Sequence, residues 1–395
     1  MPTLSRRAAA VPASPIRKLV PYADAAKARG LHVHHLNIGQ PDIETPELMR
    51  RGLAELRDPV IAYGPSAGDA AMQQMLATYY RGLGVDCAPS EVLVTTGGSE
   101  AVLFALAACL DVDDEVLIPD PMYANYIGFA AVLGTRVVPV PTRVEEGYHL
   151  PAGRLAGYVT PRTRAVLLCN PSNPTGAVYT EAEVQAVIDL CVEHDLFLIA
   201  DEVYREFVYD GPMPRSVLTY AGLGDRAIVV DSLSKRYSLC GGRVGCLISR
   251  NRDVMAAGLR LAQARLSPPA LGQLVGARAA LLDPGYFAGV RAEYARRRNV
   301  VYAALSSMPG VTVHRPEGAF YAMARLPVPD AERFVIWMLE SFSRDGRTTM
   351  VAPGSGFYAT PGAGMDEVRI AYVLEESALG DAMDLLAEGL KAFPG

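Results

Sequence analysis

Residues 227–245 read AIVVDSLSKRYSLCGGRVG, an apolar run that leads directly into a polar segment. The apolar part has the composition of a buried strand. Lys235 follows its end, where partial desolvation lowers the pKa of an amine and frees it to form an imine. Ser232 and Arg243 flank the lysine and could hold a phosphate, the arginine as a forked donor.

Similar apolar runs precede this segment, and amphipathic helix-like runs separate them. They occupy residues 91–96, 114–120, 135–140, 163–170 and 196–202. This alternation is typical of a mostly parallel sheet that helices cover on both faces. We therefore predict an α/β fold with a large domain, residues 48–284, built on a mostly parallel sheet of the seven-stranded type.

Beyond residue 284 the pattern changes to an Arg-rich helix, short strand-like runs and two further helices. This order predicts a smaller α+β domain over residues 285–395. Residues 1–47 contain several prolines, and we expect this N-terminal segment to pack on the small domain or on a partner subunit.

Ligands of parallel sheets bind at the carboxyl ends of the strands. Three other predicted strands end in side chains that are suited to binding a ligand. Gly97-Gly98-Ser99-Glu100 opens a helix, whose free N–H groups and dipole favour phosphate. Asn173 lies in a loop with two prolines and could donate its amide to a ligand oxygen. Asp201 ends a buried strand and needs a cationic partner, and Tyr204 lies three residues further on. Each group also has a structural explanation: a tight turn, a self-capping Asn or an internal salt bridge.

Residues 232–245 resemble the lysine-attachment signature of the class I aminotransferases, which have the aspartate aminotransferase fold (fold type I). The other strand ends follow in that family's order, and the similarity extends from LNIGQPD at 36–42 to VRIAY at 368–372. The resemblance implies a pyridoxal 5′-phosphate-dependent aminotransferase. Such a transaminase moves an amino group between an L-amino acid and a 2-oxo acid by a ping-pong mechanism.

The resemblance also implies roles around the ring of the cofactor. Lys235 looks like the lysine that forms the Schiff base and carries the proton. Asp201 would keep the pyridine nitrogen protonated. Asn173 and Tyr204 would bind the 3-oxygen of the ring, and Tyr123 would stack on its face unless it is a packed core aromatic.

The cofactor phosphate and the substrate carboxylate would bind on either side of that ring. The phosphate would be held by Gly98, Ser99, Ser232, Arg243 and, from the neighbouring subunit, Tyr63. A shared site of this kind implies a homodimer. Arg369 would grip the substrate α-carboxylate through a bidentate pair, unless it is a surface arginine of a strand edge. Asn173 and the main chain of Gly39 would also help to bind the substrate.

A second cationic side chain is needed if the substrate is aspartate or glutamate, which we predict as the amino acid. Ser99 occupies the position at which some relatives carry a lysine, and Ala262 falls near the place of an arginine from the other subunit. Arg265 is the closer candidate, although an arginine facing solvent or an interface would look the same. Arg17 is a second candidate.

The fold by itself leaves other reactions open. It hosts β-lyases, cyclopropane-forming synthases and amino-acid oxidases or cyclases, which use the same cofactor. A non-catalytic regulator would carry an added DNA-binding domain, and the first motif begins too close to the N-terminus to leave room for one.

The composition restricts partners and compartment. The net charge is -6 without a block of like charges, so we expect neither a nucleic-acid nor a membrane partner. The six cysteines form no C-x-x-C pair, which favours free thiols in a reducing, cytoplasmic compartment. The histidines are not placed to bind zinc, and no metal site is predicted. The longest apolar stretch, residues 101–110, is too short to span a bilayer.

Overall fold

The computed structural model describes residues 2–57 and 59–395, in which the strands form three sheets. The strands β1 to β13 are His32–His35, Val92–Thr96, Glu115–Asp120, Arg136–Pro141, Thr163–Cys169, Phe197–Asp201, Ala227–Ser232, Val244–Ser249, Thr312–Val313, Tyr321–Arg325, Arg347–Met350, Ala352–Pro353 and Glu367–Ala371. The helices α1 to α13 are Arg6–Ala10, Val20–Ala28, Glu47–Ala54, Ala70–Gly82, Gly97–Cys109, Asn125–Leu133, Glu181–Glu193, Leu233–Arg236, Arg252–Arg265, Ala270–Ala277, Tyr286–Ser307, Ala331–Glu340 and Glu376–Ala392.

The main sheet has seven strands in the order β2-β8-β7-β6-β5-β3-β4. All neighbouring pairs are parallel except the two that include β8. Successive side chains of β3 enter different hydrophobic clusters: Val116 and Ile118 pack in one and Leu117 in the other. A fully buried aliphatic side chain contributes about 1.5 to 3 kcal/mol, so burial on both faces stabilises the sheet. The predicted α/β fold with a mostly parallel sheet is confirmed.

Strand β8 runs against its neighbours because the chain returns to the sheet too soon for a crossover. Only the eleven residues 233–243 separate it from β7. A parallel return needs a connection of about a dozen or more residues, usually with a helix. The run VGCLIS follows a polar loop rather than a helix, and sequence analysis did not recognise it as a strand.

Two smaller sheets involve the C-terminal part of the chain. One is antiparallel with the order β12-β13-β10-β9, and the other joins β1 to β11 in parallel. The pairing of β1 with β11 attaches the N-terminal segment to the C-terminal part of the chain, and α2 packs on α12 in the same way. The domain limits after residues 47 and 284 stay a prediction.

Helix α7 shows how the local sequence determines where a helix begins. The Thr180 hydroxyl accepts from the N–H of Glu183, and the Glu183 carboxylate accepts from the N–H of Thr180. This reciprocal cap satisfies two donors at the helix start. The buried side of α7 carries Val184, Val187, Ile188, Leu190 and Cys191.

In residues 2–57 and 59–395, no helix combines the length and the apolar character that crossing a bilayer requires.

Candidate functional site

The carboxyl ends of β2, β5, β6 and β7 meet at one edge of the main sheet, because these four strands run in the same direction. Residues 97–99, Asn173, Asp201 and Lys235 lie at or just beyond these ends. Arg369, on β13 of the four-stranded sheet, reaches the same place: its Nη1 donates to Oδ1 of Asn173 at 3.1 Å. The site therefore lies where the two sheets approach each other.

Lys235 lies on α8, a single helical turn that the side chain of Ser232 caps. The lysine Nζ donates to the carbonyl oxygen of Gly39 at 2.7 Å. Burial lowers the pKa of this amine below its usual value, and the positive charges of Arg369 and Arg243 act in the same direction. The neutral amine is therefore easier to reach than for an exposed lysine, which suits a nucleophile or a base.

Asp201 is a buried carboxylate at the end of β6. The Tyr126 hydroxyl donates to its Oδ2 at 2.6 Å, and the main-chain N–H of Val203 donates to Oδ1 at 3.1 Å. Burial raises the pKa of the carboxyl to about 6, in opposition to both hydrogen bonds. No basic side chain in residues 2–57 and 59–395 pairs with it, so the site can accommodate a cationic group of a ligand.

Arg369 is the complementary case, a buried cation that is only 1% exposed. Its Nη2 donates to the carbonyl oxygen of Asn37 at 2.8 Å. The guanidinium lies 4.4 Å from the ring centroid of Tyr321 and 4.6 Å from that of Phe357. Its Nε has no hydrogen-bond partner within the described chain, and burial lowers its pKa. A buried arginine without an anion favours a ligand carboxylate.

The start of α5 forms a cradle of small residues beside Arg243. Gly97 has a φ of +74°, and a Cβ at this position would lie 2.5 Å from Nη2 of Arg243. A Cβ on Gly245 would lie 2.5 Å from the main chain of Gly97. Ser232 lies behind the cradle, with its hydroxyl 3.0 Å from the carbonyl oxygen of Val244. The glycines keep the helix N-terminus bare, so its N–H groups and the exposed Arg243 can meet an anion.

Two tyrosines identified from the sequence lie at this site, each within an aromatic group. The hydroxyl of Tyr123 accepts from Nδ2 of Asn125 at 2.8 Å, and its ring meets that of Tyr126 edge to face, with centroids 5.4 Å apart. The hydroxyls of Tyr204 and Tyr321 are 2.8 Å apart. Tyr123 is partly exposed and Tyr204 is buried.

Tyr126, Tyr321 and Asn37 also belong to the site, although the sequence did not predict them as members. Tyr126 lies on α6, whereas Tyr123 lies in the loop before that helix, so no helical spacing relates the two side chains. Tyr321 lies in the run GAFYAMARL, where it looks like an ordinary buried residue of a strand. Its position beside Arg369 depends on the pairing of β10 with β13, which sequence alone does not give.

Of three further predicted residues, one is paired with another side chain and two are exposed. Nε of Arg265 donates to Oε1 of Glu100 at 3.2 Å, and Nη2 donates to the carbonyl oxygen of Val94 at 3.2 Å, so this charge is already paired. The side chain of Tyr63 is 81% exposed. Arg17 is also exposed.

The chain is similar to known aminotransferases in sequence and in fold. The family model described as aminotransferase class I and II matches residues 32–376. Aromatic-amino-acid aminotransferase 2 of Thermococcus litoralis is 34% identical over 396 residues, covering 98% of each chain. The alanine aminotransferase of Pyrococcus furiosus has a TM-score of 0.89 at 29% identity, covering 99% of this chain and 100% of that one. The aspartate aminotransferase of Thermus thermophilus, solved with maleate, has a TM-score of 0.87 at 30% identity, covering 98% and 100%.

Proposed function

Because the chain belongs to the class I and II aminotransferase family and is a pyridoxal 5′-phosphate-dependent transaminase, we propose that it takes the amino group from L-aspartate or L-glutamate by a ping-pong mechanism. An amino acid and a 2-oxo acid are the substrates that the family implies. A β-lyase, or an amino-acid oxidase or cyclase, is not favoured by the relatives, which are named as aminotransferases.

The described residues fit pyridoxal phosphate on three observations. Asp201 is a buried acceptor without a cation, as a protonated ring nitrogen requires. The cradle at Gly97 would be filled by a Cβ and adjoins the exposed cation of Arg243, as a phosphate requires. Lys235 has its amine at the same edge of the sheet, with a lowered pKa. One observation carries the proposal: Lys235 lies between the buried carboxylate of Asp201 and the buried guanidinium of Arg369.

The cofactor contacts follow from these positions. Lys235 would hold the cofactor covalently, with Asp201 at the ring nitrogen. Asn173 and Tyr204 would bind the ring oxygen, and Tyr123 would lie against the ring. The phosphate would be bound by Gly98, Ser99, Ser232, Arg243 and Tyr63 of the partner subunit.

Pyridoxal phosphate, when bound, supplies an aldehyde that accepts the amino group and a ring that withdraws electrons from the substrate α-carbon. Lys235 would remove the α-proton, and its lowered pKa keeps the neutral amine accessible for that step. The carbonyl oxygen of Gly39 holds Nζ in place from one side. Arg369, with Asn173 and the main chain of Gly39, would orient the substrate through its α-carboxylate.

Recognition of the second carboxylate of aspartate or glutamate would fall to Arg17 or Arg265. Arg265 is paired with Glu100, so binding a substrate there would require that pair to open. Arg17 is exposed and follows Ile16, which packs with Ala124 and Phe357 in one apolar cluster. Since Phe357 also lies against Arg369, this segment is close to the substrate site. The maleate in the Thermus thermophilus structure is itself a dicarboxylate, in line with such a substrate.

A homodimer and a cytoplasmic location complete the proposal. Exposed apolar side chains occur on α3, in the segment after it and near α10: Leu48, Leu53, Val60, Ile61, Tyr63, Leu271 and Leu281. Since α3 packs against α10, these side chains suit one interface between two copies. The six cysteines are free thiols, which supports a reducing compartment.

The deciding experiment is a spectral screen of the purified protein loaded with pyridoxal phosphate. Each common amino acid is added singly without an oxo acid, and loss of the visible band reports transfer of the amino group to the cofactor. We expect aspartate or glutamate to give the fastest change, and Lys235→Ala to give almost none. Failure of every amino acid to change the spectrum would contradict the transamination of a common amino acid.

Substrate choice is tested separately with Arg17→Ala and Arg265→Ala. The responsible variant should have a raised KM for aspartate and glutamate and an unchanged KM for an uncharged amino acid that the enzyme accepts. Equal changes for both kinds of amino acid, or none, would contradict a role for that arginine in binding the second carboxylate.

A further inference from the structure

Tyr321 lies at the centre of the site, although no role in binding or catalysis has been assigned to it above. Its ring lies under the guanidinium of Arg369, at 4.4 Å, and its hydroxyl is 2.8 Å from that of Tyr204. Gly39 packs against the same hydroxyl so closely that a Cβ there would lie 1.9 Å from the Tyr321 oxygen. One side chain therefore touches the arginine, the tyrosine and the glycine whose carbonyl holds Lys235.

Either phenol could donate in the hydrogen bond between Tyr204 and Tyr321, and a ligand at Tyr204 would select one direction. Each hydroxyl can donate one proton and accept others. Within residues 2–57 and 59–395, the Tyr321 hydroxyl has one hydrogen-bonding neighbour, the Tyr204 oxygen, and Gly39 fills the space beside it. A buried hydroxyl that leaves its proton unbonded is destabilised. When a ligand oxygen accepts the proton of Tyr204, Tyr321 is therefore the donor in the bond between the two phenols.

In that direction the Tyr204 oxygen accepts from Tyr321, and its own proton points to the ligand. A phenol that accepts one hydrogen bond and donates another becomes a stronger donor, because the two bonds polarise each other. The rings of Phe207, Phe320 and Tyr321 pack edge-on against that of Tyr204, and Tyr321 is the one hydrogen-bonding neighbour of its hydroxyl in residues 2–57 and 59–395. The proton is thus available for the oxygen of a bound ligand.

We propose that Tyr321 is a positioning residue: its hydroxyl orients and strengthens Tyr204 as the donor to the ring oxygen of pyridoxal phosphate. The inference rests on the role proposed above for Tyr204. The ring of Tyr321 has a separate structural task, since it supports Arg369 from one face. Replacement by Phe removes the hydroxyl and retains the ring, so it separates the two tasks.

The test is a pH titration of the visible absorbance of the loaded protein, which reports the proton on the Lys235 nitrogen. A hydrogen-bond donor to the ring oxygen stabilises the negative charge on that oxygen. The oxygen then attracts the proton on the Lys235 nitrogen less strongly. Tyr321→Phe weakens the donor, and we expect the midpoint to rise by about 0.5 to 1 pH unit, the effect of one ordinary hydrogen bond. The KM for the amino acid should stay unchanged, because the ring under Arg369 remains.

Four companion variants make the result specific. Tyr204→Phe should raise the midpoint further, and adding Tyr321→Phe to it should have no additional effect, since Tyr321 acts through Tyr204. Tyr294→Phe is the matched control: it removes a buried hydroxyl without a partner in the described chain, near the same Phe320, and should leave the midpoint unchanged. Tyr321→Leu also removes the ring and should raise the KM as well as the midpoint.

The possible failures differ from one another. A midpoint that moves in Tyr204→Phe but not in Tyr321→Phe overturns the inference and leaves the proposed function standing. A midpoint that moves in neither variant overturns the proposed role of Tyr204. An additive effect in the double variant means that Tyr321 acts independently of Tyr204, which also overturns the inference. The dissociation constant of pyridoxal phosphate from the cofactor-free variants gives a second measurement, and it should rise about threefold to tenfold in Tyr321→Phe.

Discussion

Asp201 and Arg369 are buried groups of opposite charge, and neither has an oppositely charged partner in the described chain. Burial raises the pKa of the acid and lowers that of the base, so the charged form of each is disfavoured in the protein alone. Such groups reduce the stability of a fold and persist where a ligand supplies the missing charge. The two residues therefore lead to predictions that separate stability from activity.

For Asp201 we expect a gain in stability when the charge is removed. The folded carboxyl has a pKa of about 6 against an ordinary 3.8, so folding becomes less favourable as pH rises between these values. Above pH 6 the full cost is on the order of 3 kcal/mol. Cofactor-free Asp201→Asn should unfold at higher urea than the wild type at pH 8, with the difference shrinking toward pH 5, while its transaminase activity is largely lost.

Asp210→Asn is the control for that experiment. The Asp210 carboxylate accepts from Nη1 of Arg298 at 2.6 Å, and this bond lowers its pKa. Its removal should decrease stability at pH 8. A loss of stability in Asp201→Asn at both pH values would contradict the interpretation of Asp201 as a destabilising charge.

For Arg369 we expect the geometry of the guanidinium to matter as well as its charge. Arg369→Lys keeps a cation but loses the planar fork, which is worth about 1.5 to 3 kcal/mol in a carboxylate contact. The KM for both amino acid and oxo acid should rise about tenfold to a hundredfold in steady-state assays. Arg325→Lys, at a half-exposed position on β10 that pairs with Glu145, should leave both constants unchanged. Equal KM values for Arg369→Lys and wild type would place the α-carboxylate elsewhere.

The sequence predicts which segments form the site better than it predicts which of their side chains contact one another. The ends of the parallel strands could be recognised because each carries a polar group directly after an apolar run, as at Asp201 and Lys235. Tyr126 and Tyr321 could not be separated from core aromatics in the same way. Their importance lies in hydroxyl contacts with Asp201 and Tyr204, 75 and 117 residues away in the chain.

Helix α8 depends on a buried ion pair that its own residue Arg236 forms. Arg236 follows Lys235 and forms a buried ion pair with Oδ2 of Asp231. The same oxygen accepts from the Tyr80 hydroxyl at 2.8 Å, and Oδ1 accepts from the N–H of Ser232 at 2.6 Å. A helix of four residues cannot stabilise itself. This buried group therefore anchors the turn that carries the lysine.

Arg236→Met should be strongly destabilising, because it leaves the Asp231 charge buried without its cation. Loss of one partner of such a pair costs about 3 to 5 kcal/mol. Urea unfolding should show this loss, and the double variant with Asp231→Asn should be less destabilised than the sum of the single changes. Arg215→Met is the matched control: its pair with Glu181 is exposed and should contribute only about 0 to 1 kcal/mol. Equal effects at the two arginines would contradict the anchoring role of Arg236.

Strands with strong apolar runs could be predicted, and short or unusual ones could not. Strands β2 to β7 have near-continuous apolar runs, since both faces of the sheet are covered. The four residues of β11, RTTM, have no such run, and their pairing with β1 is a contact between distant parts of the chain. The direction of β8 follows from the length of a loop, a feature that periodicity does not express.

For the whole molecule, the exposed Tyr63 and the apolar side chains around it are the features that a single chain leaves unexplained. If Tyr63 binds the phosphate in the partner subunit, a site needs Lys235 from one chain and Tyr63 of the partner subunit. Each homodimer would then hold two composite sites.

Mixing two inactive variants tests this arrangement. Lys235→Ala and Tyr63→Ala dimers should each have low activity. After they are unfolded together and refolded, a mixed dimer should contain one intact site, and a random mixture should recover about a quarter of wild-type activity. If Tyr63 served the site of its own chain, both sites of a mixed dimer would lack one residue and no activity would return. A protein that sedimented as a monomer would exclude the shared site.

If Arg369 binds the α-carboxylate as proposed, its enclosure by two aromatic rings would also determine which compounds the enzyme rejects. An amine that has lost its carboxyl group as carbon dioxide would fit the same space but would offer the guanidinium no acceptor. Sites built around a polar contact discriminate against compounds that lack it by factors on the order of 10⁴. A cell could therefore accumulate polyamines or other decarboxylated amines beside this protein without their nitrogen entering the pool of amino acids.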